Sequence, residues 1–106
     1  MKIKIKPLSV NQAWQGKRYK SPVYLSYEKE LLFKLKPLLI SKNKLSITIK
    51  VAYSNKSSDI DNCLKPFLDI LQKKYRFNDS QIYELHIFKE IVKKGDEFID
   101  FEIKEL

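Results

Sequence analysis

Asp59 and Asp61 stand two residues apart, Lys65 follows four residues further on, and another carboxylate, Asp79, comes after an apolar-patterned stretch. Two carboxylates that close raise the cost of ionising each other unless a cation sits between them. A hard divalent ion such as Mg²⁺ removes that penalty. It takes carboxylate and water oxygens, usually one or two from protein carboxylates, and shares the rest of its shell with substrate phosphate. The same residues admit plainer readings. Asp59 or Asp61 could cap a helix and favour its dipole, a contribution of about 1 kcal/mol, although one aspartate suffices for that and a second at i+2 adds repulsion. Lys65 is either a point cation for a phosphate or an ion-pair partner of Asp61 or Asp69 one turn away.

The elements that must position these residues are legible from periodicity. Residues 2–6 alternate Lys with Ile3 and Ile5, the pattern of a half-buried strand, and Pro7 ends it. Residues 7–22 form a basic segment in which Trp14 and Tyr19 are interleaved with Lys17, Arg18 and Lys20. Cations there suit phosphates and rings suit unpaired bases, although Trp14 equally suits the edge of a core. From Leu25 the spacing predicts a helix with Tyr27, Leu31, Leu32, Leu35 and Leu38 on one face and Glu28, Lys29, Lys34 and Lys36 on the other. Ser26 would be its N-cap, and Pro37 would fall in its last turn or just beyond. Leu45, Ile47, Ile49, Val51 and Tyr53 then alternate with smaller or polar residues as a strand, and residues 54–58 form the loop that delivers Asp59.

Leu64, Phe67, Leu68 and Leu71 predict a second helix over residues 61–75. Pro66 belongs in its first turn, where the usual proline cost of about 3 kcal/mol largely disappears. This puts the carboxylates at a helix N-terminus, and the helix would return the chain so that Asp79 meets the same end of the sheet. Residues 82–92 and 98–103 read as the two strands of a hairpin around a turn at 93–96. Asp69 reads as solvated or ion-paired, Cys63 as packed, His86 as a surface or edge residue, and Tyr75 with Phe77 as closing the core. The sum is an α+β single domain, a mixed or mainly antiparallel sheet of about four strands covered by two helices.

Composition narrows the partners. A chain of 106 residues with 43% apolar and 12% aromatic residues is a folded globular domain. Its net charge of +8 favours an anionic partner, nucleic acid or an acidic membrane. Residues 1–56 hold 13 Lys and Arg against two acids, while residues 57–106 hold 8 against 11 acids. The first half therefore reads as a backbone-gripping surface and the second as the place of chemistry, although a Lys-rich composition by itself would produce part of this. Cys63 is the only cysteine, so there is no internal disulfide and no cysteine cluster for zinc. With no long apolar run or signal pattern, a reducing cytoplasm is expected.

Asp59-Ile60-Asp61-Asn62-x-x-Lys65-x-x-x-Asp69-x-Leu71, followed by Asn78-Asp79-Ser80-Gln81-Ile82, closely resembles the signature of the RusA-type Holliday junction resolvases, the crossover junction endodeoxyribonucleases. The likeness extends to Pro7-x-Ser9-x-Asn11 and Arg18-Tyr19-Lys20, so it covers most of the chain and treats residues 1–106 as one such domain. It implies a homodimeric, Mg²⁺-dependent endonuclease, with Mn²⁺ as a substitute ion, that nicks four-way junctions symmetrically in recombination and repair. No membrane or nucleotide cofactor is implied. By position, Asp59, Asp61 and Asp79 would be the metal-binding catalytic acids and Lys65 the essential lysine. Asn11, Lys17, Arg18 and Lys20 would join Lys65 on the DNA. Many members carry two adjacent aspartates where this chain has Asn78-Asp79. Symmetric cutting needs two active sites, which a two-fold dimer provides; the Leu-rich first helix and the exposed side of the sheet are candidate contacts. Two other functions stand beside this one: a non-catalytic basic nucleic-acid-binding protein, and a metal-dependent nuclease without junction preference.

Overall fold

The strand Leu45–Tyr53 sets the architecture. Leu45, Ile47, Ile49 and Val51 are almost wholly buried while Ser46, Thr48 and Lys50 are half-buried or exposed, so the strand has one face for a core and one for water. The structure, a computed structural model, describes residues 1–15 and 19–106, the side chains of Trp14, Gln15 and Tyr19 excepted. The expectations for Lys17 and Arg18, and for the rings of Trp14 and Tyr19, lie outside the described residues.

In chain order the elements are β1 (Lys2–Lys4), α1 (Val10–Ala13), β2 (Trp14–Gln15), β3 (Tyr19–Lys20), α2 (Pro22–Lys34), β4 (Leu45–Tyr53), α3 (Leu64–Tyr75), a 3₁₀ turn (Asp79–Gln81), β5 (Ile82–Ile91) and β6 (Phe98–Glu105). The main sheet has the order β1-β6-β4-β5, and β2 pairs with β3 as a separate two-stranded ribbon. β4 runs parallel to β5 and antiparallel to β6, and β1 is antiparallel to β6. The fold is thus α+β around a four-stranded mixed sheet, with α2 and α3 over one face and the short α1 beside them.

The expected hairpin of residues 82–92 and 98–103 does not form, because β4 lies between the two strands. A strand, helix, strand connection through α3 makes β5 a parallel neighbour of β4. β6 contributes Ile99 and Phe101 to the core and takes an interior place, while β5, with Glu84, His86, Lys89 and Glu90 exposed, takes the edge, where charge resists unwanted pairing. His86 is accordingly an exposed edge residue.

α2 begins earlier than its spacing suggests. Its N-cap is Ser21, whose Oγ accepts the Tyr24 N–H at 3.0 Å, with Pro22 at the first helical position, where its missing N–H costs nothing. Tyr24, Tyr27, Leu31 and Leu35 face the core, Leu38 is exposed, and Glu28, expected on the solvent face, is buried. α3 packs Phe67 edge-on against Phe101 of β6 at 5.6 Å, and Tyr75 leans on the same ring. Tyr75 and Phe77 are both buried, as is Cys63. Arg76, at φ 56°, ends α3 in the left-handed conformation that turns the chain towards Asp79.

Phe67 is 0% exposed and Phe33 is 89% exposed, which separates their expected effects. Phe67→Ala should lower unfolding free energy by about 3–5 kcal/mol, and Phe33→Ala by no more than about 0.5 kcal/mol. Urea denaturation of the two variants checks this, and equal shifts would contradict the packing described.

Candidate active site

The start of α3 governs the acids. Residues 60–63 form a turn in which the Asn62 N–H donates to the Asp59 carbonyl at 3.1 Å and the Leu64 N–H to the Asp61 carbonyl at 3.0 Å. Cys63, not an aspartate, is the N-cap residue, and it makes no side-chain cap bond. Asp59 and Asp61 therefore sit in the turn before the helix, not at its first residues, and capping does not consume their carboxylates. Pro66 is the third helical residue, where an N–H has no helical acceptor and its absence costs little, and the Asn62 carbonyl lies one residue before the cap, outside the helical ladder. The Val10 N–H from α1 donates to that carbonyl at 2.8 Å, fixing the N-terminal segment to the acid-bearing turn. On the other side, Lys89 of β5 donates to the carbonyls of Lys56 and Ser58, holding the loop that delivers Asp59.

Asp61, Leu64, Lys65, Leu68, Asp69, Gln72 and Asp79 line one surface cleft together with Val10. The α3 members recur at helical spacing, so a single stripe of the helix forms the cleft floor. Lys65 Nζ lies 3.3 Å from Asp69 Oδ2 and stays 61% exposed, so it has the i,i+4 partner that its spacing allows and remains open to solvent. Such an exposed pair contributes little to stability.

Asp79 approaches from elsewhere than expected. β5 starts beside Leu45, whereas the loop to Asp59 leaves Tyr53 at the opposite end of β4. The 3₁₀ turn of Asp79 is bound on two sides. Gln81 donates to the carbonyls of Ser41 and Asn43 at 3.0 and 2.9 Å, and Gln72 Oε1 accepts the Asp79 N–H at 3.0 Å. Asn78 caps the turn, accepting the Ser80 N–H at 2.9 Å while its own N–H donates to Gln81 Oε1 at 3.1 Å. Asparagine and aspartate cap about equally well, so Asn78 keeps the turn that presents Asp79.

Among the described residues no three acidic, histidine or cysteine side chains gather into a ready-made metal cage. Asp59 lies outside the lining of the cleft that Asp61 and Asp79 share. The donor set still fits a hydrated Mg²⁺: hard carboxylate oxygens, in a number that such an ion accepts while keeping most of its water. Other titratable groups nearby do not compete as bases. Burial, with Asp61 nearby, pushes the Cys63 thiol up, and burial with Cys63 and Asp61 close by pushes the Tyr53 phenol up.

The basic contacts divide. Asn11 is exposed on α1. Lys20 is held at 3.0 Å by Glu28, which also takes Lys73 of α3 at 3.2 Å. Lys73, Gln72 and Lys89 are given no role by the sequence pattern, and Glu28, expected on the solvent face, is buried between its two lysines. Gln72, seven residues from Lys65, lies on the stripe already drawn through Lys65 and Asp69, whereas the ties of Glu28 and Lys89 depend on which elements meet.

A family model described as endodeoxyribonuclease RusA matches residues 8–102, a span containing Asp59, Asp61, Lys65 and Asp79. No curated protein matches the chain.

Burial raises the Glu28 carboxyl, but the hydrogen bonds and charges of Lys20 and Lys73 outweigh it and leave the group below the ordinary glutamate value of 4.5. A depressed carboxyl stabilises the fold fully above its unfolded value and loses that contribution as pH falls through the folded value. Glu28→Gln should therefore lower stability at pH 7, with the gap from wild type shrinking as pH falls below about 4.5. Urea midpoints at neutral and acid pH measure the gap; a gap that widens in acid would contradict the double ion pair.

Proposed function

The chain belongs to the RusA family of endodeoxyribonucleases, and from that premise we propose that it resolves four-way DNA junctions by paired, symmetric, Mg²⁺-dependent nicks in recombination and repair. Membership makes it a DNA-cleaving enzyme of Holliday junctions, which sets aside the non-catalytic binding reading. The observation that carries the finer proposal is the cleft that Asp61, Lys65 and Asp79 line together. Asp61 and Asp79 would hold the ion, with Asp59 supporting from the loop before the turn. When bound, such an ion polarises a phosphodiester and makes water acidic enough to attack at neutral pH. Lys65, exposed at the cleft wall, is suited to meet charge building on the phosphate or leaving oxygen. Its partner Asp69 keeps the ammonium aimed along the helix until DNA arrives.

The net charge of +8 supports backbone binding by counterion release, and we assign Asn11, Lys17, Arg18 and Lys20 to DNA contact. Lys20 brings its partner Glu28, so its contribution is less than that of a lone cation. Cutting both exchanging strands calls for a two-fold dimer. The β5 edge supports one, since among the described residues β5 has a single strand neighbour and leaves Tyr83, Phe88 and Ile91 exposed. Among the described residues no helix is long and apolar enough to cross a membrane, which accords with the cytoplasmic place proposed for a DNA enzyme.

The test compares a labelled four-way junction with a linear duplex of the same sequence, in Mg²⁺ or EDTA. Paired nicks on the junction alone, abolished by EDTA and by Asp61→Asn, are expected. Equal cutting of both substrates would reduce the proposal to a nuclease without junction preference. Lys65→Ala should lose most cleavage, of order 100-fold, while binding the junction as well as wild type does, and a near-normal rate would end the catalytic assignment. Light scattering at micromolar concentration should give the mass of a dimer, and a monomer would remove the two-site geometry.

A further inference from the structure

Gln72 belongs to no signature residue of the sequence, yet it is the side chain through which α3 grips the turn that carries Asp79. Its Nε2 donates to the Leu68 carbonyl at 3.2 Å, one turn back on the same helix, which fixes the amide plane. Its Oε1 then accepts the Asp79 N–H at 3.0 Å. The two bonds use opposite ends of one planar amide, so the geometry of the helix is passed directly to the backbone of the acid. Gln81 ties the same turn to the carbonyls of Ser41 and Asn43, before β4. Without Gln72, that tie and the chain itself would set where Asp79 points.

The distances make this tie matter. Asp61 and Lys65 lie at the start of α3, and Asp79 comes from the opposite end of β4, next to the start of β5. A divalent ion shared by two carboxylates needs oxygens at about 2.0–2.1 Å from it, and small displacements of one acid lower its affinity. We propose that Gln72 is a positioning residue that holds Asp79 over α3 within reach of the Asp61 end of the cleft, and so sets the affinity of this site for its divalent ion. The proposal rests on the reading of Asp61 and Asp79 as metal-binding acids. Gln72 acts through the Asp79 backbone, to which its Oε1 is bound.

The test binds Mn²⁺ alone to the full chain by calorimetry, and measures cleavage of a four-way junction over a series of Mn²⁺ concentrations. Gln72→Met keeps the length of the side chain and removes both hydrogen bonds, Gln72→Glu keeps the acceptor for the Asp79 N–H, and Asp61→Asn tests the underlying site. Gln72→Met should bind Mn²⁺ about tenfold more weakly, in the range seen when outer partners of metal ligands are removed. Its half-maximal Mn²⁺ concentration for cleavage should rise by the same factor, with the rate recovering at high Mn²⁺ and junction affinity in EDTA unchanged. Exchange of the Asp79 amide with deuterium should accelerate, and Gln72→Glu, whose carboxylate still accepts the Asp79 N–H, should restore the slow exchange. Wild-type Mn²⁺ binding by Gln72→Met, or a loss of rate equal at every Mn²⁺ concentration, overturns the positioning role. If Gln72→Met does not fold, Gln72→Ala takes its place with the same outcomes. Asp61→Asn that binds Mn²⁺ and cleaves like wild type would instead overturn the site itself, whatever Gln72 does.

Discussion

The carbonyl of Asn62, between Asp61 and Cys63, lies one residue before the cap of α3 and outside its ladder, whose first bond runs from the Phe67 N–H to the Cys63 carbonyl. A buried or half-buried carbonyl must find a partner or forfeit about 1–3 kcal/mol. The Val10 N–H supplies it, and with that bond the N-terminal segment and the acid-bearing turn become one unit. That bond joins a distant part of the chain to the cleft wall, since Val10 lines the same cleft as Asp61.

From that junction the site is laid out along α3. Twelve helical residues span roughly 18 Å at 1.5 Å per residue, which is why Asp61 and Asp79 approach the cleft from different directions. The chain secures each acidic segment through side chains directed at main-chain groups: Lys89 on the carbonyls before Asp59, Gln72 and Asn78 on the turn of Asp79. Such bonds constrain backbone without spending the carboxylates. A basic protein can therefore keep an acidic cleft in which the acids stay available to a cation, while elsewhere a buried acid, Glu28, ties Lys20 to Lys73 across α2 and α3.

Much of this was legible from residue order. Alternation from Leu45 to Tyr53 marks β4 to the residue, because one face of that strand is buried and the pleat has a period of two. The apolar stripe of α3 follows from helical spacing in the same way, as does the i,i+4 pairing of Lys65 with Asp69. Strand order was not legible. The turn at residues 93–96 suggested a hairpin from local chemistry, whereas the choice of neighbour rests on which strand carries enough apolar surface to sit inside the sheet, and β6 outcompetes β5 for that place. Ser21 was passed over as the cap of α2 because Ser26 stands nearer the apolar repeat; Pro22 at the first helical position was the stronger signal. The burial of Glu28 depends on two lysines that reach it from β3 and α3, and no pattern within α2 encodes them.

The strand order also bears on when the molecule becomes whole. β6 joins β1 to β4, yet it follows β1, β4, α3 and every acid of the cleft in the chain. During synthesis the first strand has no partner and α3 has only part of its floor until β6 is made, since Phe101 is the ring on which Phe67 and Tyr75 rest. Pairings of such long sequence separation form late and slowly. A partly made chain would carry the carboxylates of the cleft and its basic first half without the complete sheet. The topology thereby ties completion of the cleft to the moment when the last strand closes the sheet.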